Sequence, residues 1–206
     1  MAEAKAFILE ETRDDTGAKL GMWLFILSEL LLFGGMFILY SAYRYKNPVD
    51  FHHASRELEV LLGTFNTLIL LTSSLSMAAS VSALQRGERK LSMVLLMATM
   101  ALGFLFLVNK GFEWGMKIEH GIYPSSPILL ARAKGEILFF GLYYMMTGLH
   151  GLHVLVGVCV LCGMWMLIAK DRINPMRFVP LENAGLYWHL VDIIWIFLYP
   201  LFYLIT

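Results

Sequence analysis

The chain has 206 residues, of which 58% are hydrophobic and only 16% charged, with a mean hydropathy of +0.66; this excludes an ordinary soluble domain and marks a membrane protein. Its 16 basic residues balance its 16 acidic ones, so no broad basic face can attract nucleic acid, and net charge names no partner.

Residues 1–18 carry charges of both signs and lack the basic-then-apolar order of a signal peptide, so they are expected to form a tail at the membrane surface. The remainder, 19–206, is expected to be one domain: an all-α, polytopic bundle of five transmembrane helices. A bilayer core needs roughly 20 apolar helical residues, and the segments 19–43, 60–84, 91–115, 135–169 and 183–205 meet that length. No internal repeat is visible.

In the first span, "FILSELLLF" sets Glu29 about 15 Å deep at 1.5 Å per residue. An ionisable group there faces a bundle interior or water, either as a hydrogen-bonded structural acid or as a proton-responsive group. In the second span Asn66, Ser73 and Ser80 recur at heptad spacing, which suits interhelical hydrogen bonds. The turn "QRGERK" follows, where Arg86 and Arg89 are candidates for binding a lipid headgroup phosphate, or merely orient the chain. In the third span Lys110, Glu113 and Lys117 approach the far boundary, and they are expected to be snorkelling charges with an ordinary helical ion pair between Glu113 and Lys117. Pro124 and Pro127 then prevent 116–134 from being one helix.

The fourth span holds "TGLHGLHVLVG", whose Thr147, His150, His153 and Gly157 share a face. Cys159 and Cys162 follow, and a lone CxxC in an apolar helix predicts packing residues rather than a zinc site. In the last span Glu182, His189 and Asp192 share another face with Gly185. Together with Glu29 these groups offer nitrogen and oxygen ligands from three helices, as bundle cores that bind metal do. Yet a carboxylate-bridged di-metal site wants Glu-x-x-His on each of two helices, which is absent, and nothing in the spacing selects a bis-histidine haem. Histidine metal sites and histidines satisfied by hydrogen bonds both stay open at this point. A transporter reading lacks broken helices in repeated halves, apart from Pro200.

Nine Lys and Arg fall on the amino-terminal side of the spans against seven opposite, a small bias toward an inside N-terminus and outside C-terminus.

The chain resembles subunit III of the haem-copper oxidases, best known in cytochrome c oxidase. The resemblance rests on six ordered pieces: "GMWLFILSELLLFGGMF" (21–37), "NTLILLTSS" (66–74), "GERK" (87–90), "KGFEW" (110–114), "TGLHGLHVLVG" (147–157) and "ENAGLYWHLVDIIWIFLYPLFY" (182–203). It implies a non-catalytic accessory subunit of a proton-pumping terminal oxidase, holding no haem or copper itself, those being in partner subunits. It also implies a place beside subunit I, with subunit II and other small subunits in the same complex, support for proton uptake and stability of subunit I, and bound phospholipid. Glu29 matches the family's buried acid, His150 and His153 its GLHGLHV histidines, and Glu182, Trp188, His189 and Asp192 its E-x5-WH-x2-D signature. The role the resemblance carries to them is to hold the bundle together and shape its interior.

Longer members have seven helices, the first two splayed to form a lipid cleft, and this chain starts where their third helix does. Five-helix members occur in bacterial oxidases, which implies a bacterial inner membrane. The alternatives are the equivalent subunit of a quinol oxidase or nitric oxide reductase and, in a different class, an intrinsic His-liganded metal or haem redox protein.

Overall fold

A computed structural model of the chain describes the backbone of residues 2–204 and the side chains of 15–204. The helices are α1 (Ala2–Lys46), α2 (Pro48–Ser55), α3 (Val60–Gln85), α4 (Arg89–Glu119), α5 (Pro127–Leu130), α6 (Lys134–Ala169) and α7 (Val179–Tyr199), the last continuing as a π turn, Pro200–Leu204. No strand is present among the described residues. Five stretches are long and apolar enough to cross a membrane: Asp15–Lys46, Val60–Gln85, Arg89–Glu119, Lys134–Ala169 and Val179–Leu204. These are the five expected spans; Asp15–Lys46, Arg89–Glu119 and Val179–Leu204 are several residues longer than expected and the other two by one residue. The protein is an all-α, multi-pass membrane protein. α1 runs unbroken through residue 18, so no change of backbone marks the boundary expected there.

The two short helices, α2 and α5, lie in the connections whose secondary structure the hydropathy pattern left unassigned. α2 starts on Pro48, whose missing N–H costs nothing in a first helical turn, and buries Phe51 and Ala54. Its Asp50 accepts a hydrogen bond from Gly135 N at 3.1 Å, satisfying an orphan donor at the start of α6. α5 is capped by Ser126, whose hydroxyl accepts from Leu129 N at 3.0 Å.

Helices α3 and α4 form a hairpin. Gly87 closes it with φ +83, a left-handed conformation that costs glycine nothing, and Glu88 N donates to Ala83 O at 2.9 Å as the last turn of α3 ends. α7 packs on α3 and α6, while α1 lies along α6 and α7 at the edge of the bundle. Most of α1 faces outward, with Leu24, Leu31 and Ile38 exposed.

Lipid tails are as apolar as leucine, so contacts between membrane helices come from close packing and hydrogen bonds rather than from exclusion of water. Trp188 of α7 illustrates both. A Cβ at Gly103 of α4 would lie 2.5 Å from Trp188 Cη2, and one at Gly157 of α6 would lie 2.9 Å from Cε3. The indole therefore fills a slot that only two glycines leave open, and its Nε1 donates to Ser73 of α3 at 3.0 Å. The heptad stripe on α3 makes the expected interhelical bonds: Asn109 Nδ2 donates to Asn66 Oδ1 at 3.1 Å, and Ser80 Oγ donates to Ser92 O at 2.9 Å.

The two ends of the bundle differ. One carries the α3–α4 turn and the α6–α7 loop, clasped by Arg89, which reaches Asp171 at 3.2 Å and Ala169 O at 2.7 Å. There too Lys19 meets Glu182 at 2.9 Å. The other end carries α2 and α5, with Arg132 bridging Glu57 and Glu136. The hydrogen bond to Glu57 raises the Arg132 guanidinium above its ordinary value.

Candidate functional site

The residues singled out in the sequence do not gather at one point. His150 is fully buried and packs by its ring, stacked on Trp195 at 5.2 Å and edge-on to Phe106 at 5.5 Å, with neither nitrogen hydrogen-bonded within the chain. His153, three residues on, turns toward α1: its Nδ1 lies 2.8 Å from Leu149 O, and its Nε2 lies 3.1 Å from Glu29 Oε2. That contact is at ion-pairing distance but off the hydrogen-bonding line. Glu29, with no basic residue near it on its own helix, thus finds its partner on α6.

On α7 the expected polar face divides. Glu182 lies at the bundle end with Lys19. His189 Nδ1 bonds Ser74 Oγ of α3 at 2.7 Å, and Asp192 is buried next to the same serine. The shared face of α6 does meet α7, but through Trp188, Tyr187 and Trp195 rather than through Glu182, His189 or Asp192. Among the described residues no group of three or more His, Cys, Asp and Glu side chains converges as a metal would need. Cys159 and Cys162 are free thiols exposed on the outer side of α6, not packed within the bundle. Of the two candidate headgroup arginines, Arg89 is committed to the loop clasp and Arg86 caps α3.

The densest polar site lies elsewhere. Lys110 and Glu113 of α4, expected to snorkel, are buried instead, with Lys110 5% and Glu113 1% exposed. The reason is their register: Leu96, Thr99, Gly103, Phe106, Lys110, Glu113 and Lys117 form one continuous buried face of α4. Lys110 Nζ donates to Glu113 Oε2 at 2.9 Å, Tyr143 Oη at 3.0 Å and Tyr203 Oη at 2.6 Å. Both tyrosine hydroxyls then donate to Glu113 Oε1, each at 2.6 Å. The ammonium uses all three of its protons, and each hydroxyl accepts one bond and donates one, so the ion pair is fully satisfied. The ammonium also lies 5.1 Å from the ring centroid of Trp195, within cation–π range. Lys117 donates instead to Glu57 O at 3.1 Å, so the helical pair expected between Glu113 and Lys117 does not form.

Tyr203 reaches this cluster because Pro200 interrupts α7. Without an N–H at 200 the chain widens into a π turn, held by Tyr40 Oη donating to Leu201 O at 2.7 Å. A cavity of about 310 Å³ opens above the cluster at the α2 and α5 end; Glu113 forms part of its wall, with Glu57, Glu59, Lys117 and His120 around it.

Comparison with known proteins bears on the whole chain. The sequence profile described as cytochrome c oxidase subunit III matches residues 9–206. A cytochrome c oxidase subunit 3 from Thermostichus vulcanus is 32% identical over 192 residues, covering 91% of this chain and 87% of the relative. Proteins of the same name from Synechocystis sp. and Balaenoptera musculus are 31% and 32% identical, covering 90% and 91% of this chain and 74% and 69% of their own lengths.

Proposed function

The chain belongs to the cytochrome c oxidase subunit III family, and from that premise we propose that it is a non-catalytic accessory subunit of a proton-pumping terminal oxidase. The observation that carries the reading is the match over residues 9–206, which leaves almost no part of the chain for a separate activity. The way its buried polar groups are used supports it: Lys110 and Glu113, through Tyr143 and Tyr203, and Ser73, Ser74 and His189 use hydrogen bonds to join helices. In this account the chain lies against subunit I, in a complex that also holds subunit II, in a bacterial inner membrane with its N-terminus inside. It supports proton uptake by subunit I and keeps subunit I stable during turnover, and haem and copper reside in the partners.

Glu29 and His153 tie α1 to α6, His150 and Asp192 shape the interior, and Glu182 and His189 fix α7 to its neighbours. Phospholipid lies along the bundle, with Arg86 and Arg89 at one headgroup level. The test is an oxidase complex prepared with and without this chain. Oxygen uptake should persist without it, while the proton-to-electron ratio and the number of turnovers before inactivation both fall. Immediate loss of oxygen reduction would assign the chain a catalytic role and overturn the proposal.

A further inference from the structure

We infer that Lys110, Glu113, Tyr143 and Tyr203 form a proton-exchange centre open to the aqueous phase at the end of the bundle that carries α2 and α5. The centre is built from this chain's own residues and requires no particular partner. It stands on two geometric facts.

The first is direction. Each tyrosine hydroxyl accepts from Lys110 Nζ and donates to Glu113 Oε1, at distances of 2.6–3.0 Å, so two parallel two-bond wires join the ammonium to the carboxylate. A proton can pass along either without rotation of a heavy atom. The Nζ–H bond breaks as a new tyrosine O–H forms, and the tyrosine's former proton makes Oε1–H. Ammonium becomes amine, carboxylate becomes carboxylic acid, the phenol is regenerated, and no electron moves.

The second is access. Glu113 is part of the wall of the 310 Å³ cavity, where Glu57, Glu59, Lys117 and His120 supply polar partners for water. Protons can therefore enter and leave the cluster at Glu113. Other ionisable groups face this route. Lys117 and His120 stand above Glu113 on α4, and Glu57 and Glu59 face it from the α2–α3 connection. Tyr144 of α6 and Tyr199 of α7 lie beside the tyrosine pair, and His150 lies on the far side of Lys110. These carboxylates and the imidazole can collect protons at the rim. A second cavity of about 240 Å³, lined by Lys110, Trp114, Thr147 and three glycines, reaches the ammonium from the side of the bundle, away from the rim carboxylates.

The test is infrared difference spectroscopy of the full chain reconstituted in one orientation in sealed liposomes, with pH changed on one face at a time. A protonated-carboxyl band should appear when the face carrying α2 and α5 is acidified, and should not respond to the other face. Glu113→Gln should abolish the band. Tyr203→Phe and Tyr143→Phe, which keep the Lys110–Glu113 pair, should each shift its frequency by removing one donor to Oε1, and they serve if the Gln variant does not fold. A band that survives Glu113→Gln, responds to the opposite face, or is unmoved by both tyrosine substitutions would overturn the inference. So would substitutions that only lower thermal stability in a chain whose wild-type spectrum has no titrating carboxyl at Glu113.

Discussion

Removing the cation from the buried cluster is the most demanding perturbation of this bundle. In Lys110→Met the methionine fills most of the lysine volume, but Glu113 keeps a carboxylate in an apolar interior with only the hydroxyls of Tyr143 and Tyr203 to balance it. Breaking a buried pair by removing one partner costs about 3–5 kcal/mol, because the other charge is left uncompensated. Glu113→Leu does the same to Lys110 and should cost a similar amount.

Lys110→Met with Glu113→Leu behaves differently. The two hydroxyls, already 3.3 Å apart, can then bond one another, leaving about one unsatisfied donor at about 1–2 kcal/mol. The double substitution should therefore be less harmful than either single one. Thermal unfolding of the purified chain in detergent, followed by tryptophan fluorescence from Trp195 beside the cluster, reads all three. A double variant as unstable as the sum of the singles would refute the view that the two charges depend on each other.

The remaining predictions follow from single contacts. Gly103→Ala should cost about 1–3 kcal/mol by driving a Cβ into the rigid Trp188 ring, whereas Gly141→Ala, where a Cβ meets nothing within 4 Å, should be neutral or stabilising; paired melting curves distinguish them. In an assembled complex Glu29→Gln should keep contact with His153, while Glu29→Ala should leave a void and an unpaired imidazole and melt earlier by about 1–3 kcal/mol, with oxygen uptake retained in both. Serine at both Arg86 and Arg89 should lower the phospholipid retained per chain, measured as phosphorus content, and should also loosen the clasp on Asp171. Serine at Arg86 alone leaves the clasp intact, so its phosphorus loss isolates headgroup binding.

The spans were legible because hydropathy acts over whole helices: each apolar run is long enough to exceed the bilayer core, and nothing but a helix satisfies its backbone there. The stripe of Asn66, Ser73 and Ser80 was legible for a related reason, since heptad spacing turns polar groups to one face of the helix, here the seam with α4 and α7. The contact between Glu29 and His153 was not, because separation in sequence says nothing about which of two adjacent faces a tilted helix presents.

Lys110 reads as a snorkelling charge because it lies near a span end, where long cationic side chains usually rise to the interface, yet it is buried. Its register held the better signal. The spacing of Leu96, Thr99, Gly103 and Phe106 continues without a break to Lys110, Glu113 and Lys117, so the charges follow the buried face. The role of Tyr203 depends on the π turn after Pro200, and a proline in a sequence marks a disturbance without giving the rotation that follows.

The most direct test of the account is affinity purification of this chain from its native membrane in mild detergent, with subunit identification, visible spectra and metal analysis of the complex and then of the separated chain. The account predicts near-stoichiometric recovery with a haem-copper subunit, haem and copper in the complex, and neither in the separated chain. Stoichiometric haem, iron or copper retained by the separated chain, or its recovery free of any haem-copper subunit, would contradict the claim that it is an accessory subunit of a terminal oxidase.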